Sequence, residues 1–418
     1  VYKRQAFEGT RSRVGKLMPP RYGLLKYVMD SAHNTGAENL HFVPVSISYD
    51  LIGDVKDYAK EQAGGVKRPE SLSWFIGYLR GLRQPMGKIY FNFGEPVILD
   101  TVPSPEDPRE LQQVAFAVGV EANRVTPITV PSLLSMILLG SAPRALTAEE
   151  LERETNTRSE WATKRGIRLT DNMARGDRSE VLELVDDMVA NGLLTRYDDG
   201  PERVYTIAAE QHGVASYYRN TISHYFVAKA IAELSLVYMA QGNRTGAEQF
   251  WSEAERLRDL FKFEFFYAPR EQFRRDIEEE LSRYQPRWET ALDEEGFALS
   301  LFTRLVPLVS HAVLLPFVEA YRVVADVIAR HTGDEVLTEK ECVQKALAYG
   351  RQAYLQRRIS SEASIGKVYF GNGYKLAENF GLLEGDVAEL EARRLELAQS
   401  FRSLQRRLEQ VRAAALPN

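Results

Sequence analysis

The stretch Phe42-Val-Pro-Val-Ser-Ile-Ser-Tyr49 decides the fold class of the first part of the chain. Its apolar content and imperfect alternation predict a β-strand within His41–Tyr49 that is covered on at least one face. A second β-rich run, Lys88–Phe93, contains the aromatic alternation Ile89-Tyr-Phe-Asn-Phe93. Helical stretches separate these runs, which favours an α/β domain over residues 1–123 whose sheet has crossover connections.

Residues 124–210 are predicted to form a small helical, winged-helix-like module. Thr147-Ala-Glu-Glu150 is a capping box that begins a helix, and a second helix over Ser179–Ala190 ends at Asn191-Gly192. Two short strands, Leu193–Tyr197 and Arg203–Ile207, follow. Such a module can bind DNA or serve as a packing unit. The chain has 53 Lys and Arg against 58 Asp and Glu, a net charge of −5, so we expect no nucleic-acid partner.

Residues 211–418 are predicted to be almost wholly helical. Thr338-Glu-Lys-Glu341 is another capping box, and Asn372-Gly373 predicts a break between helices. The last predicted helix is amphipathic, with apolar residues at three- and four-residue spacing: Val387, Leu390, Leu397, Phe401, Leu404, Leu408 and Val411. It is expected to fold back on the helical domain; self-association and contact with a membrane surface are the alternatives.

Composition limits the classes of protein to which the chain can belong. Its 418 residues are 44% hydrophobic and 27% charged, which excludes a disordered tail and suggests two or three domains. The single cysteine, Cys342, excludes an internal disulfide and a multi-thiolate metal site, and is expected to be buried and inert. No cofactor or metal site is predicted. No run of about 18 uninterrupted apolar residues indicates a membrane-spanning helix.

A charged turn near the start carries the most specific chemistry. Phe7-Glu-Gly-Thr-Arg-Ser-Arg13 places Glu8, Gly9 and two arginines within seven residues, and Lys16 adds a third cation. Two guanidiniums beside a turn can hold a phosphate monoester through paired hydrogen bonds. As an isolated pattern, the same residues are equally typical of a solvated charged turn.

Five further motifs at fitting separations support a family resemblance. The run Phe7-Glu-Gly-Thr-Arg-Ser-Arg-Val-Gly-Lys-Leu-Met-Pro-Pro-Arg-Tyr-Gly23 resembles the third conserved block of the glycerol-3-phosphate acyltransferases, and Val43-Pro-Val-Ser-Ile-Ser-Tyr-Asp50 resembles the fourth. The resemblance continues through Tyr58-Ala-Lys-Glu61, Ile89-Tyr-Phe-Asn-Phe-Gly-Glu-Pro96, Tyr217-Tyr-Arg-Asn220 and Leu257-Arg-Asp-Leu-Phe-Lys-Phe-Glu-Phe-Phe266. It is closest to the large bacterial, membrane-associated enzymes of phospholipid synthesis.

The resemblance implies an activity, its partners and its site. The reaction is transfer of a fatty acyl group from acyl-CoA or acyl-carrier protein to the 1-hydroxyl of glycerol 3-phosphate, by a peripheral protein on the cytoplasmic face of the bacterial cell membrane. The residues matching the substrate-binding blocks are Glu8, Gly9, Arg11, Ser12, Arg13 and Pro44. The implied fold is the C-terminal portion of an α/β acyltransferase domain, then the winged-helix-like module and the mainly α-helical C-terminal domain.

One departure from the family pattern concerns the catalytic base. The family's His-x-x-x-x-Asp motif supplies it, yet none of the six histidines has Asp five positions later; His33 comes nearest, with Glu38. The base motif is therefore expected upstream of residue 1, the chain is interpreted as an amino-terminally truncated fragment, and it is expected to be inactive alone. Two alternatives stay open: a dihydroxyacetone-phosphate acyltransferase, and a non-catalytic helical scaffold.

Two motifs favour packing over chemistry. Tyr217-Tyr-Arg-Asn220 with His224 is expected to pack the first domain against the helical one. The aromatic cluster from Phe261 to Tyr267 is expected to lie in a domain contact, with insertion at a bilayer surface as the alternative. The apolar run Leu133–Leu139 and the helix from Leu299 are the other candidate membrane contacts.

Overall fold

The structure is a computed structural model that describes residues 12–65, 86–102, 104, 107–331 and 337–416. Its strands are β1 Glu38–Phe42, β2 Val45–Tyr49, β3 Ile89–Phe93, β4 Val97–Thr101, β5 Leu146–Thr147, β6 Thr195–Tyr197 and β7 Val204–Thr206. Its helices as far as residue 190 are α1 Tyr22–Asn34, α2 Val55–Gln62, α3 Pro108–Arg124, α4 Val130–Ser141, α5 Ala148–Thr163, α6 Asp171–Ala174 and α7 Arg178–Ala190. The later helices are α8 His212–Gln241, α9 Ala247–Leu260, α10 Arg270–Ser282, α11 Trp288–Ala291, α12 Phe297–Phe302, α13 Ser310–Ala329, α14 Glu339–Leu355, α15 Lys367–Asn379 and α16 Val387–Ala415. The described chain is mostly helical, with small sheets.

The first strands form a two-stranded antiparallel ribbon. β1 pairs with β4 and β2 pairs with β3, both antiparallel, and the backbone N–H of Gly94 donates to the carbonyl of Pro44 (2.8 Å) between the two pairs. The expectation of crossover connections is therefore wrong for the described strands. Proline at position 44 has no N–H for the ladder, which is why the single predicted strand over His41–Tyr49 divides there.

The two faces of the β2–β3 pair differ. On one face Ser46 Oγ lies 2.8 Å from Thr126 Oγ1, and Arg168 donates to the side chain of Asn92 (2.6 Å). The other face carries three apolar cross-strand pairs whose side chains are between 40% and 65% exposed: Val45 with Phe93, Ile47 with Phe91, and Tyr49 with Ile89. Residues i, i+2 and i+4 of each strand share a face, so these six side chains form one apolar surface.

Residues 124–210 fold as helices around a second small sheet. Its strand order is β5-β7-β6 with antiparallel pairing, and α5, α6 and α7 lie between β5 and β6 in the sequence. The capping box at Thr147 and Glu150 forms as predicted. Helix α7 ends at Ala190 with Gly192 at φ +70°, and both predicted hairpin strands are present, each shorter than expected.

The helical body is built around α8 and α13. Helices α4, α9, α12 and α13 pack against α8, and α14, α15 and α16 pack against α13. Helix α8 is buried nearly all round, which is typical of a central helix. The last helix buries Phe401, Leu404 and Leu408 of its apolar stripe and packs against α13, so the prediction that it folds back on this body is confirmed.

Of two local predictions for the helical body, the structure confirms one and contradicts the other. The capping box at Thr338 and Glu341 forms as expected. The predicted break at Asn372-Gly373 is wrong, because both residues lie inside α15. A Cβ at Gly373 would lie 3.1 Å from Val324 Cγ2, so this glycine permits a close helix contact rather than a turn.

The proposed membrane contacts lie largely in the protein core. Helix α4 is buried from Val130 to Leu138, and Phe261 and Phe265 are 0% and 8% exposed. Leu299 is 54% exposed, but the following helix α13 is almost entirely buried. These elements are apolar because they form the interior. Within the parts of the chain that the structure describes, no helix has the length and apolarity to cross a membrane.

Candidate functional site

The segment 12–16, here called the anchor segment, is held against the helical body. The backbone carbonyl of Val14 accepts a hydrogen bond from the side-chain amide of Asn220 in α8 (2.7 Å). Gly15 has φ +82°, and a Cβ there would lie 1.9 Å from the carbonyl oxygen of Tyr217. Only glycine allows this approach, because any other residue would clash with the α8 backbone and strain its own.

A buried ion pair fixes the end of the anchor segment. Lys16 pairs with Glu264, and its ammonium also donates to the Glu264 carbonyl (2.9 Å). The other carboxylate oxygen of Glu264 accepts from Tyr321 (2.8 Å) and Asn372 (3.1 Å). Burial lowers the pKa of Lys16, although the Glu264 carboxylate opposes that shift. Lys16, the third cation of the charged turn, is thus a structural cation.

The anchor segment leaves Arg13 at the surface of a cleft. Its side chain is 51% exposed and donates to the Glu61 carboxylate of α2 (2.5 Å). The cleft has a volume of about 380 Å³, which suits a small ligand. Arg13, Lys56 and Lys60 supply its positive charges, and Glu210 and Glu362 its negative ones.

The walls of the cleft come from separate parts of the chain. Helix α2 forms one side through Lys56, Ala59 and Lys60. The opposite side includes Ser216 and Tyr217 of α8 and Tyr369 of α15. The helical body also holds the C-terminal end of α2: Arg351 donates to the carbonyl of Ala63 (2.7 Å), and the Gln62 side chain accepts from the backbone of Val368 (3.2 Å). The cleft thus lies between α2 and the helical body.

The sequence-predicted site residues are only partly brought together. Ser12 donates its hydroxyl to the carbonyl of Lys16 (2.7 Å) and closes the turn that carries Arg13. Pro44 is buried at the ribbon break and is not among the described residues that line the cleft. The predicted residues Glu8, Gly9 and Arg11 lie outside the described residues.

The histidines of the described chain do not form a base beside the cleft. His224 is buried against the carbonyl of Asn123 (2.9 Å), and burial lowers its pKa to about 4. Both ring nitrogens of His212 have partners, Ser361 Oγ at 3.0 Å and the Ile207 carbonyl at 3.3 Å. The structure therefore supports packing roles for His224 and for Asn220.

Sequence reasoning missed the α2 side of the cleft. Lys56 and Lys60 are four residues apart and so share one face of a helix, which is a signal that the sequence contained. Glu61 is the last residue of the family motif Tyr58-Ala-Lys-Glu61. Nothing in the sequence, however, indicates that it pairs with Arg13, 48 residues earlier. That pairing depends on the folded arrangement of α2 against the anchor segment.

The described residues give little support for a metal site or a reactive thiol. They contain no group of three or more His, Cys, Asp or Glu side chains placed to hold a metal ion. Burial raises the pKa of the Cys342 thiol to about 12, so the expectation of a buried, unreactive cysteine is confirmed. The chemistry available at the cleft is binding of an anion by a guanidinium and ammonium groups.

Comparisons with known proteins agree with these motifs. Residues 58–386 match the family model described as the glycerol-3-phosphate acyltransferase C-terminal region. The chain is 32% identical over 417 residues to plsB1 of Mycobacterium bovis and of Mycobacterium tuberculosis, a protein whose name assigns it as an acyltransferase; the match covers 97% of this chain and 67% of the relative. It is 27% identical over 306 residues to a glycerol-3-phosphate acyltransferase of Pseudomonas aeruginosa, covering 69% of this chain and 35% of that protein.

Proposed function

The chain belongs to the glycerol-3-phosphate acyltransferase family, and we propose that its protein is a glycerol-3-phosphate 1-O-acyltransferase. In this proposal a fatty acyl group passes from acyl-CoA or acyl-carrier protein to glycerol 3-phosphate, and lysophosphatidate is formed. The family match and the name of the Pseudomonas relative support glycerol 3-phosphate as the acceptor. No cofactor is required, because the acceptor hydroxyl attacks the donor thioester directly.

The observation that carries the proposal is the placement of Arg13 at a cleft that is also lined by Lys56 and Lys60. Its guanidinium is half exposed there, close to the Lys56 and Lys60 side of the same cleft. A guanidinium can give two parallel hydrogen bonds to a phosphate monoester, and ammonium groups add charge without that geometry. We assign phosphate binding to Glu8, Gly9, Arg11, Ser12 and Arg13, among which Ser12 acts by closing the turn. Pro44, the residue matching the fourth block, is assigned a role in shaping the substrate site.

Catalysis requires a base that this sequence does not supply in the family's form. The acceptor hydroxyl must lose its proton as it attacks the thioester carbonyl, and the family uses the histidine of His-x-x-x-x-Asp for this step. None of the six histidines here has that partner. We propose that the 418-residue chain alone does not turn over, since a missing general base costs roughly 10²–10⁴-fold in rate. Robust acyl transfer by the purified chain would contradict this.

The proposed domain organisation follows the sequence boundaries. Residues 1–123 contribute part of an α/β acyltransferase domain, 124–210 a winged-helix-like module, and 211–418 the helical domain. The order of helices and the three-stranded sheet of 124–210 support the module. We assign it a packing role, because its wing is acidic: residues 195–206 carry three acidic side chains against two arginines, and both arginines, Arg196 and Arg203, pair with Asp198. Nucleic acid is therefore not a proposed partner.

Peripheral association with the cytoplasmic face of the bacterial membrane is also part of the proposal. The product carries an acyl chain that partitions into lipid. With a net charge of −5, the chain is not drawn to anionic lipid by bulk electrostatics, so apolar burial must supply most of the attraction. Flotation with liposomes should therefore persist in high salt. Release by moderate salt would show that a local basic patch drives binding instead.

Calorimetric titration of the purified chain with glycerol 3-phosphate, dihydroxyacetone phosphate and glycerol tests the acceptor assignment. We expect glycerol 3-phosphate to bind most tightly and glycerol, which lacks the phosphate, to bind least. Tighter binding of dihydroxyacetone phosphate would instead favour a dihydroxyacetone-phosphate acyltransferase. No binding of either phosphate would favour a non-catalytic helical scaffold.

A further inference from the structure

Arg219 is a buried cation of α8 without a carboxylate partner among the described residues. Its side chain is 1% exposed, and it forms no ion pair in the parts of the chain that the structure describes. Its guanidinium donates to Ser216 Oγ (2.6 Å) and, through two nitrogens, to the side-chain oxygen of Asn220 (2.8 and 3.2 Å). A buried charge with only neutral hydrogen-bond acceptors destabilises the fold, so packing alone does not account for Arg219.

The hydrogen bonds of Arg219 determine which way the Asn220 amide points. Because the Asn220 oxygen accepts from Arg219, its NH₂ group faces away and donates to the Val14 carbonyl (2.7 Å) and to Tyr369 Oη (2.7 Å). The reverse orientation would set the amide donors against the guanidinium. A continuous chain of contacts thus runs from Arg219 through Asn220 to Val14, the residue bonded to Arg13.

Arg219 also lies directly behind the wall of the cleft. Its partner Ser216 lines the cleft, as do Val14 and Tyr369, the two groups to which Asn220 donates. Burial lowers the pKa of Arg219 to about 10, so the group remains charged at neutral pH. An anion in the cleft would therefore sit near a positive charge in surroundings of low dielectric constant, where the attraction is larger than in water.

We propose that Arg219 is a positioning residue of the cleft: it orients Asn220 to hold the anchor segment, and its charge favours a phosphate monoester beside Arg13. The proposal rests on the proposed function, which places the acceptor phosphate in this cleft. Arg219 does not line the cleft, and so it acts through Asn220 and through its field rather than by touching the ligand.

Calorimetric titration with glycerol 3-phosphate and thermal unfolding of Arg219→Met test the proposal. We expect affinity to fall at least about tenfold, a change of 1.4 kcal/mol in binding free energy. The melting temperature should hardly fall, since the variant no longer buries an unpaired charge. Arg407→Met is the matched control: Arg407 is 3% exposed, pairs with Glu253 (2.6 Å) and lies outside the cleft, so this variant should lose stability and keep its affinity.

Two further variants keep the test decisive if Arg219→Met does not fold. Arg219→Lys keeps the charge and a donor for Asn220, and should recover part of the affinity. Asn220→Asp neutralises Arg219 and cannot donate to the Val14 carbonyl, and should weaken binding while the buried pair keeps the chain folded. Unchanged affinity in Arg219→Met or in Asn220→Asp would overturn the proposal. If the unmodified chain binds no phosphate ester at all, the proposed function fails instead.

Discussion

Large apolar side chains are buried in the helical body but exposed on one face of the antiparallel ribbon. In the helical body, Phe250 and Phe401 are 0% and 1% exposed. On the ribbon, Phe91 and Phe93 are 60% and 65% exposed, opposite Ile47 and Val45. The helical body therefore buries such side chains against other described residues, whereas one face of the ribbon leaves them exposed.

This difference shows which part of the chain sets the geometry of the site. Apart from the pair between Arg13 and Glu61, the anchor segment makes its described contacts with the helical body: α8, the segment of Glu264 and Phe265, α13 and α15. No described contact joins it to the apolar face of the ribbon. Arg13 owes its position to the helical body, although it lies within the first predicted domain. Variants at Gly15 and Lys16, the tightly packed positions of the anchor segment, should consequently lower global stability, and variants on the ribbon face should not.

The largest effect is expected for Lys16→Met. Removing one partner of a buried ion pair leaves the Glu264 carboxylate without its cation, which costs about 3–5 kcal/mol of unfolding free energy. Urea unfolding measures this loss. The double variant Lys16→Met, Glu264→Gln should be more stable than Lys16→Met, since no buried charge is left uncompensated. Equal stability of the single and double variants would contradict the buried-pair interpretation.

Gly15→Ala should have the next largest effect. Its methyl group would clash with the Tyr217 carbonyl and also strain a backbone at φ +82°, so we expect a loss of about 2–4 kcal/mol. Gly166→Ala is the control, because Gly166 has φ +68° but nothing within 4 Å of an added Cβ. The Gly166→Ala variant should lose only about 1 kcal/mol of unfolding free energy, from backbone strain at positive φ. Similar losses in the two variants, measured by urea unfolding, would show that the α8 contact does not matter.

Glu319 in α13 should produce a pH-dependent effect of intermediate size. Burial raises its pKa to about 7, above the ordinary value of 4.5, so between these pH values the unfolded chain ionises while the folded chain does not. The stability that Glu319 contributes is thus fully present below pH 4.5 and is lost as the pH rises toward 7, by about 3 kcal/mol.

Comparison with Glu319→Gln isolates that contribution. The buried histidines His224 and His311, whose pKa values burial lowers to about 4 and 3, oppose it but are common to both proteins. The difference in unfolding free energy between the variant and the parent should therefore change between about pH 4.5 and pH 7, in favour of the variant at the higher pH. A constant difference would contradict the raised pKa.

The smallest effect is expected on the ribbon. Phe91→Ala should change the unfolding free energy by less than about 1 kcal/mol, because the side chain is already largely in water. Phe250→Ala, in the core of the helical body, should cost about 3–5 kcal/mol. Comparable losses at the two positions would mean that the exposed face is covered when the protein folds in solution.

The sequence predicts local structure best where the interacting groups are only a few residues apart in the chain. Capping boxes at Thr147 and Thr338 mark helix starts because the side chain and the backbone that it caps are only three residues apart. Asn372-Gly373 misleads because the same glycine that permits a turn also permits close packing of α15 on α13. Which of these roles applies depends on a partner distant in the sequence.

The candidate site shows the same division. The charged turn that includes Ser12 and Arg13 permits phosphate binding, but the turn alone is equally typical of a solvated charged turn. Only its resemblance to a family motif, supported by the motifs that follow it, favours phosphate binding. The pairing of Arg13 with Glu61, the burial of Lys16 against Glu264, and the role of Asn220 join residues 48, 248 and 206 positions apart. Sequence spacing carries no information about such contacts without a fold.

Binding of glycerol 3-phosphate to Arg13→Ala tests the central claim most directly, namely that the helical body holds Arg13 in place to bind the acceptor phosphate. In a calorimetric titration the variant should lose about 1.5–3 kcal/mol of binding free energy, the range for hydrogen bonds to charged groups. Its melting temperature and its affinity for acyl-CoA should change little, because Arg13 is half exposed and contacts only Glu61 among the described residues. Unchanged affinity for glycerol 3-phosphate, or an equal loss for both ligands, would contradict the account.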